Sequence, residues 1–187
     1  MFKLTNHSAV LVVVDMQKNL LKAIAKRERV VSCTAKLIES FHIFNMPIIH
    51  TEQFSRLLGP TIKPLQHLLG SNKAIHKMNF NCCLEPDFMT ALLKSEAKQI
   101  VLCGIETHIC VLQTALSLQE MGYQIYLAAD ACGTRKKLDN KHAIEAMLRF
   151  GVQVGTAEMI IFQILQTAES KEYKKILKLV AEDKEIE

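Results

Sequence analysis

The chain has 187 residues, of which 49% are hydrophobic and 22% charged, and a formal net charge of +4. That length suits a single domain, 1–187, with one sizeable core, and the composition is that of an ordinary globular protein. The charge is too mild to point to nucleic acid, and no basic stripe with interleaved aromatics is present. The opening segment leads into a short apolar run, 9–14, that Asp15 ends, so it reads as neither a signal peptide nor a membrane span. The six cysteines (33, 82, 83, 103, 110 and 132) form no C-x-x-C pair and no regular spacing. They are expected to be reduced thiols of a cytoplasmic protein rather than a disulfide framework.

Residues 9–14 are continuous, apolar and mostly β-branched, the pattern of a central strand buried on both faces. Asp15 follows directly. A charge there is costly to bury unless paired, so Asp15 either caps the next helix or has a partner and a task. Residues 17–25 start a helix or an ordered loop. Residues 28–44 carry apolar positions at helical spacing. Residues 46–50 form a second short strand, and 51–60 a polar loop punctuated by Gly59-Pro60. Loops at strand ends shape pockets, so Glu52 and Gln53 are either substrate contacts or solvated loop residues.

A short helix spans 62–69, and a third strand, 73–77, ends on Lys77. That lysine is either a surface charge or, facing Asp15 and Cys110, an electrostatic activator. Pro86 opens a helix over 86–94. A buried strand over 99–103 is followed by a tight turn at Gly104 and a helix over 107–121 that carries Cys110 in its first turn. Unpaired N–H groups and the helix dipole there favour a thiolate. A strand over 123–129 leads to the loop 130–135. A helix over 139–150, a last strand over 152–155 and a helix over 157–166 follow. A final helix carries the stripe Tyr173, Ile176, Leu177 and Val180, and the charged tail 182–187 frays. Six strands alternating with helices predict a three-layer α/β/α sandwich with a mainly parallel, Rossmann-like sheet.

Asp15, Lys77 and Cys110 stand at or just beyond strand ends, and parallel strand ends share one edge of a sheet. Their chemistry fits acyl transfer. Asp15 would take the thiol proton and return it to the leaving group. Lys77 would hold Asp15 ionised and stabilise the thiolate. The backbone N–H groups of Glu106 and Cys110 would hold the oxyanion, and water would then attack the thioester. Spacing alone is a weak signal for this, because any α/β protein has polar residues at strand ends.

Three blocks add specificity: Val-Val-Val-Asp15-Met-Gln17, His-Lys77-Met-Asn-Phe80 and Leu-Cys-Gly104-Ile-Glu-Thr-His-Ile-Cys110-Val. They resemble the signature blocks of the isochorismatase-like cysteine hydrolases, and the resemblance spans nearly the whole chain. The segments Thr-Glu52-Gln-Phe, Leu-Gly59-Pro60-Thr and Asp130-Ala-Cys-Gly-Thr-Arg135 resemble the isochorismatase domain-containing subgroup. The resemblance implies an Asp15–Lys77–Cys110 triad and a non-proline cis peptide at Ile105–Glu106. Candidate substrate contacts are Gln17, Glu52, Gln53, Phe80 and Arg135.

Departures narrow the reading. True isochorismatases lack the nucleophilic cysteine, so Cys110 argues against vinyl-ether hydrolysis. Nicotinamidases of the family carry an Asp-x-His metal motif where this chain has Glu52-Gln53-Phe54, so no metal and no other cofactor is expected. His50 reads as a strand residue. His108 reads as a pocket or cap residue, since a position two before Cys110 falls on another helix face. The leading expectation is a hydrolase of a small amide or related acyl compound, with a small-molecule substrate and neither nucleic acid nor membrane as partner. The family commonly assembles, so a homo-oligomer, dimer or higher, is expected. The alternative is a binding or scaffold protein that keeps the fold with little turnover. A dinucleotide-binding domain is disfavoured, because no G-x-G-x-x-G follows any strand.

Overall fold

The computed structural model describes residues 4–5 and 8–181. The tail 182–187, and 1–3 and 6–7 of the opening segment, lie outside the described residues. In chain order the elements are β1 (Ala9–Val14), α1 (Lys18–Leu21), α2 (Arg27–Ile43), β2 (Ile48–Gln53), α3 (Ser55–Leu58), α4 (Lys63–Leu69) and β3 (Ile75–Lys77). Then come a 3₁₀ turn (Cys82–Leu84), α5 (Pro86–Lys94), β4 (Gln99–Ile105), a π-helical turn (Thr107–Val111), α6 (Leu112–Glu120) and β5 (Gln124–Gly133). The chain continues through α7 (Lys137–Arg149), β6 (Gln153–Gly155), α8 (Ala157–Leu165) and α9 (Tyr173–Ala181).

The strands form one six-stranded sheet in the order β3-β2-β1-β4-β5-β6. Every neighbouring pair is parallel. Residues of β1 and β4 are buried throughout, as two-sided apolar strands must be in a sheet covered on both faces. Helix α2 packs with α4, α8 and α9, while α6 packs with α7 and the 3₁₀ turn. The strand order reverses between β1 and β4. That switch point opens a crevice at the carboxyl ends of the two strands, where open α/β sheets bind ligands. Asp15 leaves β1 there, and Cys110 follows β4.

Several boundaries differ from the sequence reading. Strand β2 runs on to Gln53, so Thr51, Glu52 and Gln53 are buried strand residues rather than the start of a polar loop. Gly104 is not a turn. It pairs with Val14 inside the sheet at φ 121°, and a Cβ there would lie 2.1 Å from the Val14 carbonyl oxygen. Only glycine permits that approach. Strand β5 extends through Asp130–Gly133, where Cys132 and Gly133 pair with Gly104 and Ile105 after a shift in register. On α9 the buried positions are Ile176 and Leu179, and Leu177 is exposed.

Candidate active site

Asp15 is fully buried and adopts a left-handed backbone, φ 52°. It caps no helix: the N-cap of α1 is Gln17, without a side-chain cap bond. Its N–H donates to the Thr51 carbonyl at 3.2 Å, and its Oδ1 accepts from the Thr51 hydroxyl at 2.7 Å. Its Oδ2 lies 2.8 Å from Lys77 Nζ, and neither side chain reaches solvent. Lys77 is thus no surface charge. Its ammonium also donates to Gln53 Oε1 at 2.6 Å and to the carbonyls of Asn79 and Phe80, each at 3.3 Å. A buried ion pair gains little unless its remaining valences are met, and these oxygens meet them. Burial alone would lower the Lys77 pKa, but Asp15, with Cys82 and Cys110, outweighs it and raises it.

Cys110 lies in the π-helical turn, where Val111 N–H reaches back five residues to the Glu106 carbonyl at 3.3 Å. The Ile105–Glu106 peptide is cis. Cys110 is 5% exposed, with its thiol within hydrogen-bonding reach of the Asp15 carboxylate. Burial first, then the Asp15 charge, push it up to about 12 against the pull of Lys77. This corrects the thiolate expected from the helix start. In the resting site the desolvation and the facing carboxylate outweigh the helix dipole and the lysine, and the proton stays on sulfur.

Asp15, Lys77 and Cys110 therefore meet at the switch point, with Gln53 and the Phe80 carbonyl around the ammonium. The other candidates are engaged elsewhere. Gln17 is fully buried, with Oε1 accepting from Gln53 N–H at 2.8 Å and Nε2 donating to the carbonyls of Gln53 and Gly59. Its amide ties together the segments after β1 and β2. Glu52 points to the other face of β2, where Oε1 accepts from Thr61 N–H and hydroxyl at 2.7 and 2.9 Å. Arg135 Nε pairs with Glu106 Oε1 and Oε2 at 3.1 and 3.0 Å. Phe80 is 53% exposed. Surface cavities of about 330 Å³ beside Ile75 and about 420 Å³ beside Leu21 are not lined by Asp15, Lys77 or Cys110.

Two neighbours escaped the sequence reading. Thr51 grips Asp15 by backbone and side chain. Cys82 is fully buried, and its thiol lies within hydrogen-bonding reach of the Thr51 and Thr114 hydroxyls. Burial pushes that thiol up to about 11, with Lys77 opposing. The signal available for Thr51 was its place at a strand end, one residue from Glu52 and two from Gln53. Nothing in the sequence singles out Cys82.

Among the described residues, no group of three or more His, Cys, Asp or Glu side chains is placed to hold a metal ion, and no helix is long and apolar enough to cross a membrane. His50 is 5% exposed and its Nδ1 has no hydrogen-bond partner among the described residues. His108 Nε2 lies 3.7 Å from Asp139 Oδ2.

Comparison with known proteins places the chain in a family. Residues 9–159 match the model of the isochorismatase domain. Isochorismatase domain-containing protein 2 of Xenopus laevis is 34% identical over 183 residues, covering 96% of this chain and 87% of its own length. A Caenorhabditis elegans structure described as MAR1 ribonuclease superposes with a TM-score of 0.90 at 28% identity, covering 96% of this chain and 93% of that one. The Escherichia coli YcaC gene product, described as an octameric hydrolase of unknown specificity, shares the fold with a TM-score of 0.88 at 23% identity, covering 97% and 88%. The chain belongs to the isochorismatase-like hydrolase family.

Proposed function

We propose that this protein is a metal-independent cysteine hydrolase of a small amide or related acyl compound. The observation that carries the reading is the fully buried Asp15–Lys77 pair with the Cys110 thiol in reach of its carboxylate. As sulfur attacks the substrate carbonyl, the thiol proton passes to Asp15 Oδ2 and the S–C bond forms. The oxyanion is received by the N–H groups of Glu106 and Cys110, near the start of a helical run where amides lack intrahelical partners. Collapse breaks the C–N bond, and the leaving amine takes the proton from Asp15. Water then attacks the thioester with Asp15 as base, which releases the acid and restores the thiol. Lys77 keeps the site's charge balanced through the cycle. A protonated resting thiol suits this order of events, because the proton moves only as the nucleophile engages.

Metal independence is supported by the donor set: Glu52 is committed to Thr61, and its neighbours Gln53 and Phe54 bring no imidazole. A small-molecule substrate rather than nucleic acid is supported by the absence of a basic stripe in the sequence. A homo-oligomer is supported by the octameric assembly described for the E. coli relative. A cytoplasmic location is supported by six cysteines that form no disulfide among the described residues.

The test is ammonia release from a panel of small primary amides, with an RNA oligonucleotide as a parallel substrate and a chelator in half the reactions. Hydrolysis of an amide that persists with chelator and vanishes in Cys110→Ala is the expected result. RNA cleavage that survives Cys110→Ala would overturn it. A second reading, a scaffold or binding protein with little turnover, is favoured by the 5% exposure of Cys110 and its thiol held up to about 12. No amide turned over, with Cys110 inert to alkylation, would favour that reading.

A further inference from the structure

Thr51 touches the triad twice without belonging to it. It is buried, its carbonyl accepts from Asp15 N–H at 3.2 Å, and its hydroxyl donates to Asp15 Oδ1 at 2.7 Å. Oδ1 is therefore committed. Oδ2 faces the Lys77 ammonium at 2.8 Å. The Cys82 thiol lies beside the hydroxyls of both Thr51 and Thr114. The Cys82 N–H in turn donates to Thr114 Oγ1 at 3.0 Å. Thr114 lies four positions beyond Cys110 on the same helical run, so it shares a face with the nucleophile. Polar contacts thus run from Asp15 through Thr51, Cys82 and Thr114 back to the segment that carries Cys110.

We propose that Thr51 is a positioning residue that gives the two carboxylate oxygens of Asp15 separate tasks, with Oδ1 held and Oδ2 presented to the Cys110 proton. This rests on the triad reading above. An aspartate carboxylate turns about a broad, two-fold torsion. Lys77 acts on it as a compact point charge with rotatable donors and does not fix its plane. A directed O–H donor does, because hydrogen bonds weaken steeply off axis. The ionised carboxylate is the form that accepts the thiol proton, so the way Oδ1 is held is read in the pH profile of the thiol.

The test is the alkylation rate of Cys110 by iodoacetamide against pH, read by peptide mass spectrometry on the full chain. Wild type is compared with Thr51→Val, Thr51→Ala, Thr51→Ser and Asp15→Asn, each checked for native circular dichroism. Thr51→Val and Thr51→Ala are expected to slow the reaction roughly tenfold at neutral pH, the scale of one hydrogen bond to a charged group. They are also expected to move the acid limb of the profile to higher pH, and Thr51→Ser to restore most of both. Thr51→Ala is the variant read if the valine does not fold. A slower rate with an unmoved limb, or a wild-type profile, in Thr51→Ala while Asp15→Asn flattens the limb would overturn the positioning role alone. An unchanged profile in Asp15→Asn would overturn the triad reading itself.

Discussion

Strand β2 carries a buried polar cluster on each face. On one face Thr51 and Gln53 hold Asp15 and Lys77 beside Cys110. On the other, Glu52 clamps Thr61, with His76 Nδ1 at 3.5 Å and His50 nearby. Both clusters contain a buried carboxylate. They differ in what that carboxylate faces. Glu52 Oε1 is filled by a backbone and a hydroxyl donor, so that face braces a loop. The Asp15 carboxylate has the Lys77 charge at Oδ2 and the Cys110 thiol in reach. Burial of a charge is therefore a poor sign of chemistry by itself; a buried carboxylate that faces a thiol is a better one.

The comparison breaks most sharply on activity. Cys110→Ala is expected to abolish amide hydrolysis with the fold intact, and Asp15→Asn to slow it roughly 10²–10⁴-fold, the range of a general acid–base group. Glu52→Gln, on the other face, is expected to act on stability instead of the chemical step, which steady-state kinetics beside urea unfolding separates. Equal loss of kcat in Glu52→Gln would erase the distinction between the faces.

Stability gives the next contrast. Lys77→Ala leaves the Asp15 charge buried and unpaired and is expected to cost about 3–5 kcal/mol in urea unfolding. Restoring neutrality with Asp15→Asn in the Lys77→Met background is expected to recover part of that loss. Glu52→Gln weakens a charge-assisted bond without stranding a charge, and is expected to cost about 1–3 kcal/mol.

The pH dependence separates the faces more finely. The thiols of Cys82 and Cys110 are raised to about 11 and about 12 from an ordinary 9.0, and Lys77 is raised as well. The folded state then binds protons that the unfolded chain releases, so stability falls as pH rises from about 9 through about 12. Cys103, on β4 away from both clusters, is likewise pushed to about 12 and adds to the same limb. On the other face His50 is lowered from 6.5, chiefly by burial, with Glu52 opposing. The unfolded chain takes up that proton first, so stability falls as pH drops below about 6.5. Chemical denaturation across pH, with Cys82→Ala and His50→Gln as the two probes, is expected to soften the alkaline limb in the first and the acid limb in the second.

The same contrast explains what the sequence revealed. β1, α5 and α8 were legible because apolar runs and a proline at a helix start report local preferences. The end of β2 was not. Thr-Glu-Gln looks like a loop until Asp15, Lys77 and Thr61 supply partners from other parts of the chain. Gly104 looked like a turn because its real constraint, the Val14 carbonyl, lies ninety positions away. The stripe on α9 holds at Tyr173, Ile176 and Val180 and differs at one position, where Leu179 faces the core and Leu177 does not. Asp15, Lys77 and Cys110 were legible as strand-end residues and through the family blocks. Thr51 and Cys82 were not, since their roles exist only in three dimensions.

The most direct test of the central claim is intact-protein and peptide mass spectrometry after mixing the protein with p-nitrophenyl acetate. The account predicts a single acetyl group on Cys110 that forms and then decays with return of the free thiol, and that accumulates far more slowly in Asp15→Asn. Acetylation spread over other cysteines or lysines, with Cys110 unmodified or indifferent to Asp15, would contradict it.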